Sequence, residues 1–534
     1  MYNKRIGIRT FVPRAALCAS LLFLASCTEV WDSHYDVDGR RQTATRTLWE
    51  EISARPELAD FADVVRQTGY DRVLDGDQML TVFAPKGTLD RQSLTADGMA
   101  GEIVCNHVAR YAYTANATLA TRPQNILMLN GKRCELTMTA PESTASGEAY
   151  ALNGQDLVTA NIAARNGVLH VIAAQVPFFC NVWEYMDKDT TFSLVRDYLY
   201  SFNKLVLDEE ASVAGAVVDG EITYVDSVVV NTNEMFRRIG QLNSEDSTYW
   251  MVLPTNRAWR EAYRRVGSYY NYSLKNEKRD SLQHLYTQMA LVNDLVFSRA
   301  MQRAPEDSLL STTGGVFHRP LETLLTGYAS YADGQACSNG RVFPVDVLRY
   351  QPWDSWQRAI QVEAENTRGR EYGLSELYKR NLSATSEYYT QVADASFVEM
   401  VPSSTSANPT VTFSVPDVLS AAYDIKVVFV PQTLGIDKSA WGLPNKLVAT
   451  LTTVDASGKA VTEKSDVILN DPTRVDTVTL FTGYRFEACN FEEETVTTKL
   501  KIQSQVLSKE RSEYSRSMLI DCVIFEPSRK VIKP

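Results

Sequence analysis

The fold is decided by the stretch Asn161-Ile162-Ala163-Ala164-Arg165-Asn166-Gly167-Val168-Leu169-His170-Val171-Ile172. Its Asn-Gly pair is a strong short-range signal for a hairpin, because both residues tolerate positive φ. The flanking residues are mostly apolar and include several β-branched side chains, which favour strands. We therefore predict two antiparallel strands that turn at Asn166-Gly167.

The residues upstream of this hairpin predict helices and one more strand. Between Thr47 and Leu89 the apolar residues recur first at helical spacing, in two segments, and then as a continuous run. That run, Met79–Pro85, is the pattern of a short buried strand that ends at a proline. The segment Glu102–Tyr111 has the apolar periodicity of another amphipathic helix. This part of the chain therefore has an α+β composition.

Three segments in this region resemble the conserved segments of the fasciclin (FAS1) domain family. They are Thr81–Pro85, Asn106-His107 and Asn166–Ile172, in the family's order and at domain-scale spacing. The resemblance covers residues 46–180 and implies a FAS1 domain, in a family that makes extracellular contacts with proteins and glycans. Lys86-Gly87 stands where the family usually has Thr-Asn, which puts the capping bonds of that loop in doubt.

A second segment, residues 181–356, resembles the same family more weakly. Trp250–Trp259 is similar to the family's first segment, and Asn339–Asp346 is similar to the second, with Phe343 in place of the histidine. We expect a long helix over Lys278–Met301 and an insertion over residues 203–248 that carries a pair of strands. The resemblance implies tandem FAS1-like domains.

Residues 357–534 have a different pattern, with short runs of alternating apolar and polar residues between Gly, Pro, Asn and Asp breaks. Repeated short strands of this kind predict an all-β antiparallel sandwich. The first run, Ile360–Asn366, and the last, Met518–Phe525, loosely resemble jelly-roll carbohydrate-binding modules. The predicted fold class is therefore α+β multidomain, with two FAS1-like domains before a jelly-roll-like sandwich.

The N-terminus has the layout of a secretory leader. Basic residues precede an apolar run, Ala15–Ala25, which is too short to span a bilayer. The ending Leu24–Cys27 resembles the lipobox of bacterial lipoproteins, and the acidic residues that follow resemble a surface-export signal of the Bacteroidota. We therefore expect a signal peptide over residues 1–26, lipidation at Cys27, a lipid anchor and tether over residues 27–45, and a location on the outer membrane, exposed at the cell surface.

Composition excludes several classes of function. The formal net charge is −11, and the leader contains four of the basic residues, so the mature chain is still more acidic. An acidic chain repels phosphate backbones, which argues against nucleic-acid binding. The sequence contains none of the common nucleotide, zinc-protease or serine-hydrolase motifs. The five histidines are isolated from one another, and we expect His107 and His170 to be buried structural residues. We predict no enzyme activity, no cofactor and no metal.

Two sets of residues are candidates for ligand contact. Tyrosines stack on apolar faces and donate hydrogen bonds, so Tyr-rich segments suit sugars or peptides; packing in a core or between domains is the alternative. Glu363 and Glu365 are spaced to share one face of a strand, which suits paired carboxylates or Ca²⁺, although solvated edge charges explain them too. The tyrosines are Tyr269, Tyr270, Tyr272, Tyr388 and Tyr389.

These observations favour a non-enzymatic surface lipoprotein that works in adhesion or in the capture of a glycan, a peptide or an extracellular-matrix ligand. Lipoproteins of this outline resemble accessory partners of SusC/SusD-type outer-membrane transporters. One alternative is a glycoside hydrolase that uses Glu363 and Glu365, because glycosidases need two carboxylates about 5–10 Å apart. Another is a purely structural component of the cell surface or of a biofilm.

Overall fold

The computed structural model describes residues 44–89, 99–139, 149–207, 213–218, 221–226, 229–298 and 308–529. The predicted signal peptide, Cys27 and most of the tether lie outside these residues. The chain divides into two compact units, one ending at Phe178 and the other beginning at Phe179. No helix within the described ranges combines the length and the apolar character that crossing a membrane requires.

The described residues of the first unit form four α-helices and a seven-stranded sheet in the order β2-β1-β7-β6-β5-β4-β3. Strands β1 and β7 are parallel, and the other pairs are antiparallel. The helices are α1 (Leu48–Ser53), α2 (Ala59–Gln67), α3 (Asp71–Leu74) and α4 (Met99–Cys105). The strands are β1 (Leu80–Pro85), β2 (Val108–Arg110), β3 (Gln124–Leu127), β4 (Arg133–Thr139), β5 (Ala149–Leu152), β6 (Gln155–Ala164) and β7 (Gly167–Ile172).

Local chemistry explains the start of this unit. Thr47 and Glu50 form a capping box, in which each side chain accepts a hydrogen bond from the other residue's backbone N–H, at 3.2 and 2.9 Å. The predicted helices before residue 75, the strand β1 and the hairpin β6–β7 are confirmed. The helix predicted over Glu102–Tyr111 is wrong beyond Cys105, because Val108–Arg110 pairs with β1 instead.

A buried asparagine joins three parts of the first unit. The Asn166 side chain accepts a hydrogen bond from the Leu48 N–H at 2.8 Å and donates to the carbonyls of Leu74 and Gly76, at 2.8 and 2.6 Å. The next residue, Gly167, lies so close to β1 that a Cβ atom there would be 1.8 Å from the Leu80 oxygen. The Asn-Gly pair therefore serves a tight strand contact as well as a turn.

In its described residues, the second unit begins with five α-helices and ten strands. Helices are α5 (Ser193–Tyr200), α6 (Phe236–Ile239), α7 (Asn256–Gly267), α8 (Arg279–Asn293) and α9 (Pro320–Thr323). Strands are β8 (Asn203–Leu207), β9 (Val213–Val218), β10 (Glu221–Asp226), β11 (Val229–Asn233), β12 (Tyr249–Pro254), β13 (Val296–Ser298), β14 (Ser308–Leu310), β15 (Val316–His318), β16 (Gln335–Cys337) and β17 (Gly340–Val345).

Two sequence predictions for this region need correction. The long helix predicted over Lys278–Met301 ends at Asn293, and Val296–Ser298 forms a strand that pairs with β12. The insertion over residues 203–248 contains two described strand pairs, β8 with β11 and β9 with β10, whereas one pair was predicted.

The sheet β13-β12-β17-β16 repeats the pairing of β2-β1-β7-β6 in the first unit. Its two central strands, β12 and β17, are parallel. Their register pairs Tyr249 with Gly340 at one end and Pro254 with Val345 at the other. Asn339 repeats the role of Asn166: it accepts from the Val182 N–H at 2.9 Å and donates to the carbonyls of Leu242 and Ser244. A Cβ atom on Gly340 would be 1.8 Å from the Tyr249 oxygen.

The rest of the second unit consists of two six-stranded antiparallel sheets. One has the order β20-β21-β29-β23-β27, with β18 also paired to β29; the other has the order β19-β22-β28-β24-β25, with β26 paired to β24. The strands are β18 (Ile360–Glu363), β19 (Arg370–Gly373), β20 (Ser375–Asn381), β21 (Ser396–Pro402), β22 (Thr410–Ser414), β23 (Ala422–Phe429), β24 (Lys446–Val454), β25 (Ala460–Lys464), β26 (Ile468–Leu469), β27 (Asp476–Arg485), β28 (Lys499–Ser504) and β29 (Met518–Pro527).

Both sheets contribute to one hydrophobic cluster. Phe413 and Leu451 come from one sheet, and Ile425 and Phe525 come from the other. The same cluster continues into the region before residue 357, for example to Trp250. The observed strands confirm the strand predictions for this region. The domain boundary between residues 356 and 357 and the jelly-roll topology stay predictions.

The close strand contacts at Gly167 and Gly340 lead to a stability prediction. Gly167→Ala should push β1 away from β7, and Gly340→Ala should push β12 away from β17. We expect each change to lower the free energy of unfolding of its unit by roughly 3 kcal/mol or more. Urea unfolding of the full chain, followed by hydrogen exchange of each unit, measures the loss. The control is Gly101→Ala in α4, where a Cβ meets nothing within 4 Å. Equal stability of G101A and G167A would contradict the prediction.

Candidate functional site

A polar cleft of about 230 Å³ lies among loops of the two-sheet region. Three segments form it: the end of β21, the loop before β24 and the loop before β29. Its lining residues are Val401, Pro402, Ser404, Thr405, Asp437, Ser439, Ala440, Leu443, Arg511, Tyr514, Ser515, Arg516 and Ser517. Sequence reasoning predicted none of them.

Buried hydrogen bonds hold the walls of this cleft. Arg516 is 8% exposed, and its guanidinium donates to the Val506 carbonyl at 2.7 Å and to the Thr405 carbonyl. The Asn445 side chain donates to the carbonyls of Ser515 and Ser517 at 3.1 and 2.8 Å. Because these bonds fix the backbone of the loop before β29, the exposed side chains start from a preorganised frame.

The side chains that face solvent here suit a polyhydroxylated ligand. Tyr514 presents a half-buried ring with the Lys446 ammonium 5.4 Å from its centre, and Arg511 is exposed. Trp441 lies in the same loop as Asp437 but does not line the cleft. It is 44% exposed, and its indole N–H donates to the Gly435 carbonyl at 3.2 Å. Aromatic rings bind the apolar faces of a ligand while nearby charged and hydroxyl groups form hydrogen bonds.

Three predicted ligand-contacting tyrosines are packing residues instead. Tyr270 and Tyr272 are each 3% exposed in the hydrophobic cluster, and the Tyr272 hydroxyl donates to the Phe491 carbonyl at 2.8 Å. Tyr269 is half-buried and packs edge-on against Trp356, with ring centres 5.7 Å apart. The prediction of ligand contact is therefore corrected to packing, because burial of large rings stabilises the fold more than exposure would.

The other two tyrosines lie in the loop between β20 and β21. Tyr388 packs against a small hydrophobic cluster that contains Val392 and Phe397. Tyr389 is 41% exposed, so it remains available for contact. Neither residue lines the cleft described above.

The predicted carboxylate pair contributes to a buried acidic cluster. Strand β18 ends at Glu363, so Glu365 lies just beyond the strand, not on it as predicted. The ligand atoms of Glu363, Asp521 and Cys522 are within 4.8 Å of one another. One carboxylate oxygen of Glu363 and one of Glu365 are buried without a hydrogen-bond partner.

Burial dominates the electrostatics of this cluster. Desolvation raises the pKa of the Asp521 carboxyl to about 7. The hydrogen bond from the Ala393 N–H opposes this rise, and the negative charges of Glu363 and Glu365 add to it. Desolvation also raises the pKa of Glu363. A proton on Asp521 relieves this repulsion, and a divalent cation that prefers oxygen ligands would do the same.

Two histidines of the first unit are buried and neutral. His107 bonds the Ile103 carbonyl at 2.8 Å through Nδ1, and its Nε2 accepts from the Val176 N–H at 2.9 Å. His170 bonds the Tyr113 carbonyl at 2.9 Å. Desolvation lowers the pKa of each ring to about 4. Both are structural residues, as the sequence indicated.

The acidic cluster predicts a pH dependence. Because the folded chain holds a proton on Asp521 that the unfolded chain releases, the second unit should lose stability as pH rises from about 4 to 7, by roughly 4 kcal/mol in the absence of divalent cations. Urea unfolding across this range measures the loss. Asp521→Asn should remove this loss of stability. Added Ca²⁺ should offset the loss in the wild type and should have no such effect on the Asp521→Asn variant.

The matched control for this prediction is Asp455→Asn. Hydrogen bonds from the Ser457 hydroxyl and the Lys459 N–H lower the pKa of Asp455. Removal of the Asp455 carboxylate should therefore leave the loss of stability between pH 4 and pH 7 unchanged. Stability that is constant or rises from pH 4 to pH 7 in the wild type without divalent cations would contradict the assignment.

Comparison with known proteins identifies part of the chain. Residues 56–175 match the family model described as the fasciclin domain. No curated protein matches the chain. A solved FAS1 domain pair from the insect cell adhesion molecule Fasciclin I is 12% identical, with a TM-score of 0.22, over 56% of this chain and 98% of that one.

Two carbohydrate-binding modules of Clostridium thermocellum are also similar. The C-terminal family 22 module of Xyn10B is 14% identical, with a TM-score of 0.20, over 32% of this chain and 94% of that one. A family 35 module is 7% identical, with a TM-score of 0.19, over 32% and 99%. At these values the likenesses support no functional argument, whereas the family match does identify one region: residues 56–175 are a fasciclin (FAS1) domain.

Proposed function

We propose that this protein is a non-enzymatic surface lipoprotein that captures an extracellular ligand. The fasciclin domain at residues 56–175 is the observation that carries the proposal, because that domain suggests adhesion. We further propose that residues 181–356 are a second FAS1-like domain, in tandem with the first. The repeated strand pairing and the equivalent roles of Asn166 and Asn339 support this.

The polar cleft of the two-sheet region is the proposed ligand site, and a glycan is its proposed ligand. Tyr514 offers aromatic surface in the cleft, and Arg511 and Ser439 offer donors around it. Trp441 adds an exposed ring from the loop that carries Asp437, although it does not itself line the cleft. Such a set of one or two rings with polar neighbours orients a sugar without needing catalytic groups. In this proposal the two-sheet region is a jelly-roll-like sandwich whose loops form the binding surface.

The proposed location follows from the leader. Acylation at Cys27 would attach the chain to the outer membrane of a member of the Bacteroidota, with the ligand site outside the cell. SusC/SusD-type transporter components are the proposed partners. Purification of the native protein from solubilised membranes tests this; recovery from the soluble fraction without a lipid on Cys27 would overturn it.

Binding measurements on the full mature chain test the ligand site. We expect immobilised protein to bind one member of a panel of polysaccharides and matrix proteins, and Tyr514→Ala or Trp441→Ala to weaken that binding at least tenfold, because loss of an aromatic anchor costs about 1.4 kcal/mol or more.

Tyr389→Ala is the matched control, because it removes an exposed tyrosine that lies in none of the three segments that form the cleft. Unchanged affinity for this variant beside a loss for Y514A would support the cleft. Loss in Y389A with full binding by Y514A and W441A would place the site at the loop between β20 and β21 instead.

Glycoside hydrolysis remains the alternative function, favoured by one observation. The raised pKa of Glu363 is what a general acid requires. Against this, Asp521 is 2% exposed and the unpartnered oxygens of Glu363 and Glu365 are buried, so a sugar has little access to them. Hydrolysis of a polysaccharide that disappears in a Glu363→Gln, Glu365→Gln double variant would establish the alternative.

A further inference from the structure

Two cysteines of the second unit lie side by side although they are far apart in sequence. Cys180 is 5% exposed and lies close to the start of the unit, and Cys337 ends β16 and is half-buried. The two thiols are not linked covalently, and the Cys337 thiol has the largest influence on the pKa of Cys180.

The backbone around the two thiols is held on both sides. The Ser338 N–H donates to the Cys180 carbonyl at 3.0 Å. Two residues further along, the Val182 N–H donates to the Asn339 side chain at 2.9 Å. These two bonds keep the entry segment of the second unit beside the β16–β17 hairpin, so the side chains at 180 and 337 stay adjacent.

The first unit contains the same arrangement without thiols. The Arg165 N–H donates to the Arg46 carbonyl at 2.7 Å, and the Leu48 N–H donates to the Asn166 side chain at 2.8 Å. By these matching bonds, Arg46 corresponds to Cys180, and Ala164 corresponds to Cys337. The hydrogen-bonded frame is therefore common to both units, and the thiol pair is particular to the second.

We propose that Cys180 and Cys337 form a reversible disulfide that covalently fastens the entry segment of the second unit to β16. A protein carried out of the cytoplasm meets oxidants that make such a bond. The function is redox-dependent stabilisation of the second unit, at the position where the first unit relies on hydrogen bonds alone.

The reaction is a thiol–disulfide exchange with a small disulfide such as oxidised glutathione. The more exposed Cys337 thiolate attacks one glutathione sulfur, and the other glutathione leaves as a thiolate. The Cys180 thiolate then attacks the Cys337 sulfur and releases the second glutathione. Two protein thiols lose two protons and two electrons, and oxidised glutathione is reduced to two glutathione molecules.

The surroundings of Cys180 assist the second step. The hydrogen bond from the Cys337 thiol is the largest influence on Cys180; burial opposes it, and the Lys188 ammonium adds to it, so the pKa of the Cys180 thiol is lowered to about 7. In the reduced pair a large fraction of this sulfur is therefore thiolate at neutral pH. Once Cys337 carries glutathione it has no thiol proton to donate, and the Lys188 ammonium is then the group that stabilises the attacking Cys180 thiolate. By contrast, burial raises the pKa of Cys134 to about 12, and the Cys105 thiol donates to the Tyr70 hydroxyl.

Incubation of the reduced full chain with oxidised glutathione tests the proposal. After alkylation and proteolysis, mass spectrometry should find a peptide pair joined through Cys180 and Cys337, with Cys105 and Cys134 alkylated. The thermal midpoint of the second unit should rise on the order of 5 °C, because the bond closes a long loop. Dithiothreitol should reverse both changes.

Cys180→Ser and Cys337→Ser should each abolish the rise, and Cys105→Ser should not. If a variant folds poorly, detection of the Cys180–Cys337 linked peptide in the wild-type chain still tests whether the disulfide forms. A glutathione adduct on Cys337 that never resolves, or a linked peptide that leaves the midpoint unchanged, would overturn the proposal.

Discussion

Two buried asparagine side chains, Asn166 and Asn339, set the geometry on which both units depend. Each amide satisfies the N–H of an incoming segment and two carbonyls of a loop, so three segments of chain meet at one side chain. A buried backbone group without a partner costs about 1–3 kcal/mol. The entry segment, the loop and the parallel strands therefore stabilise one another and are not independent.

Local chemistry made part of this fold predictable. The turn at Asn166-Gly167 and the strand before Pro85 depend on residues close in sequence, and both were found. The partners of Asn166 were not, since Leu48 and Leu74 are 118 and 92 residues away. The helix predicted through Val108–Arg110 failed for the same reason: pairing with β1, a tertiary contact, outweighs the helical periodicity of that segment.

The candidate site was harder to predict than the fold. The cleft joins loops that are distant in the chain, such as those of Ser404, Asp437 and Tyr514, and no sequence spacing relates them. The available signal was an aromatic residue in a loop between strands, Tyr514. The tyrosine cluster at residues 269–272 drew attention by composition, but large rings bury well, and here they fill the core. The sequence predicted only the Glu363 and Glu365 part of the acidic cluster. Asp521 comes from the last strand and lies near Glu363 only because β18 pairs with β29.

Hydrogen exchange of the intact chain, measured by mass spectrometry on Asn166→Ala and Asn339→Ala, tests the role of the asparagines most directly. Loss of N166A's side-chain bonds should reduce protection of α1, β1 and β7 and leave β12 and β17 unchanged, while N339A should do the reverse. Protection that survives in both variants, or that falls equally in both units from either change, would show that the fold does not depend on these amides.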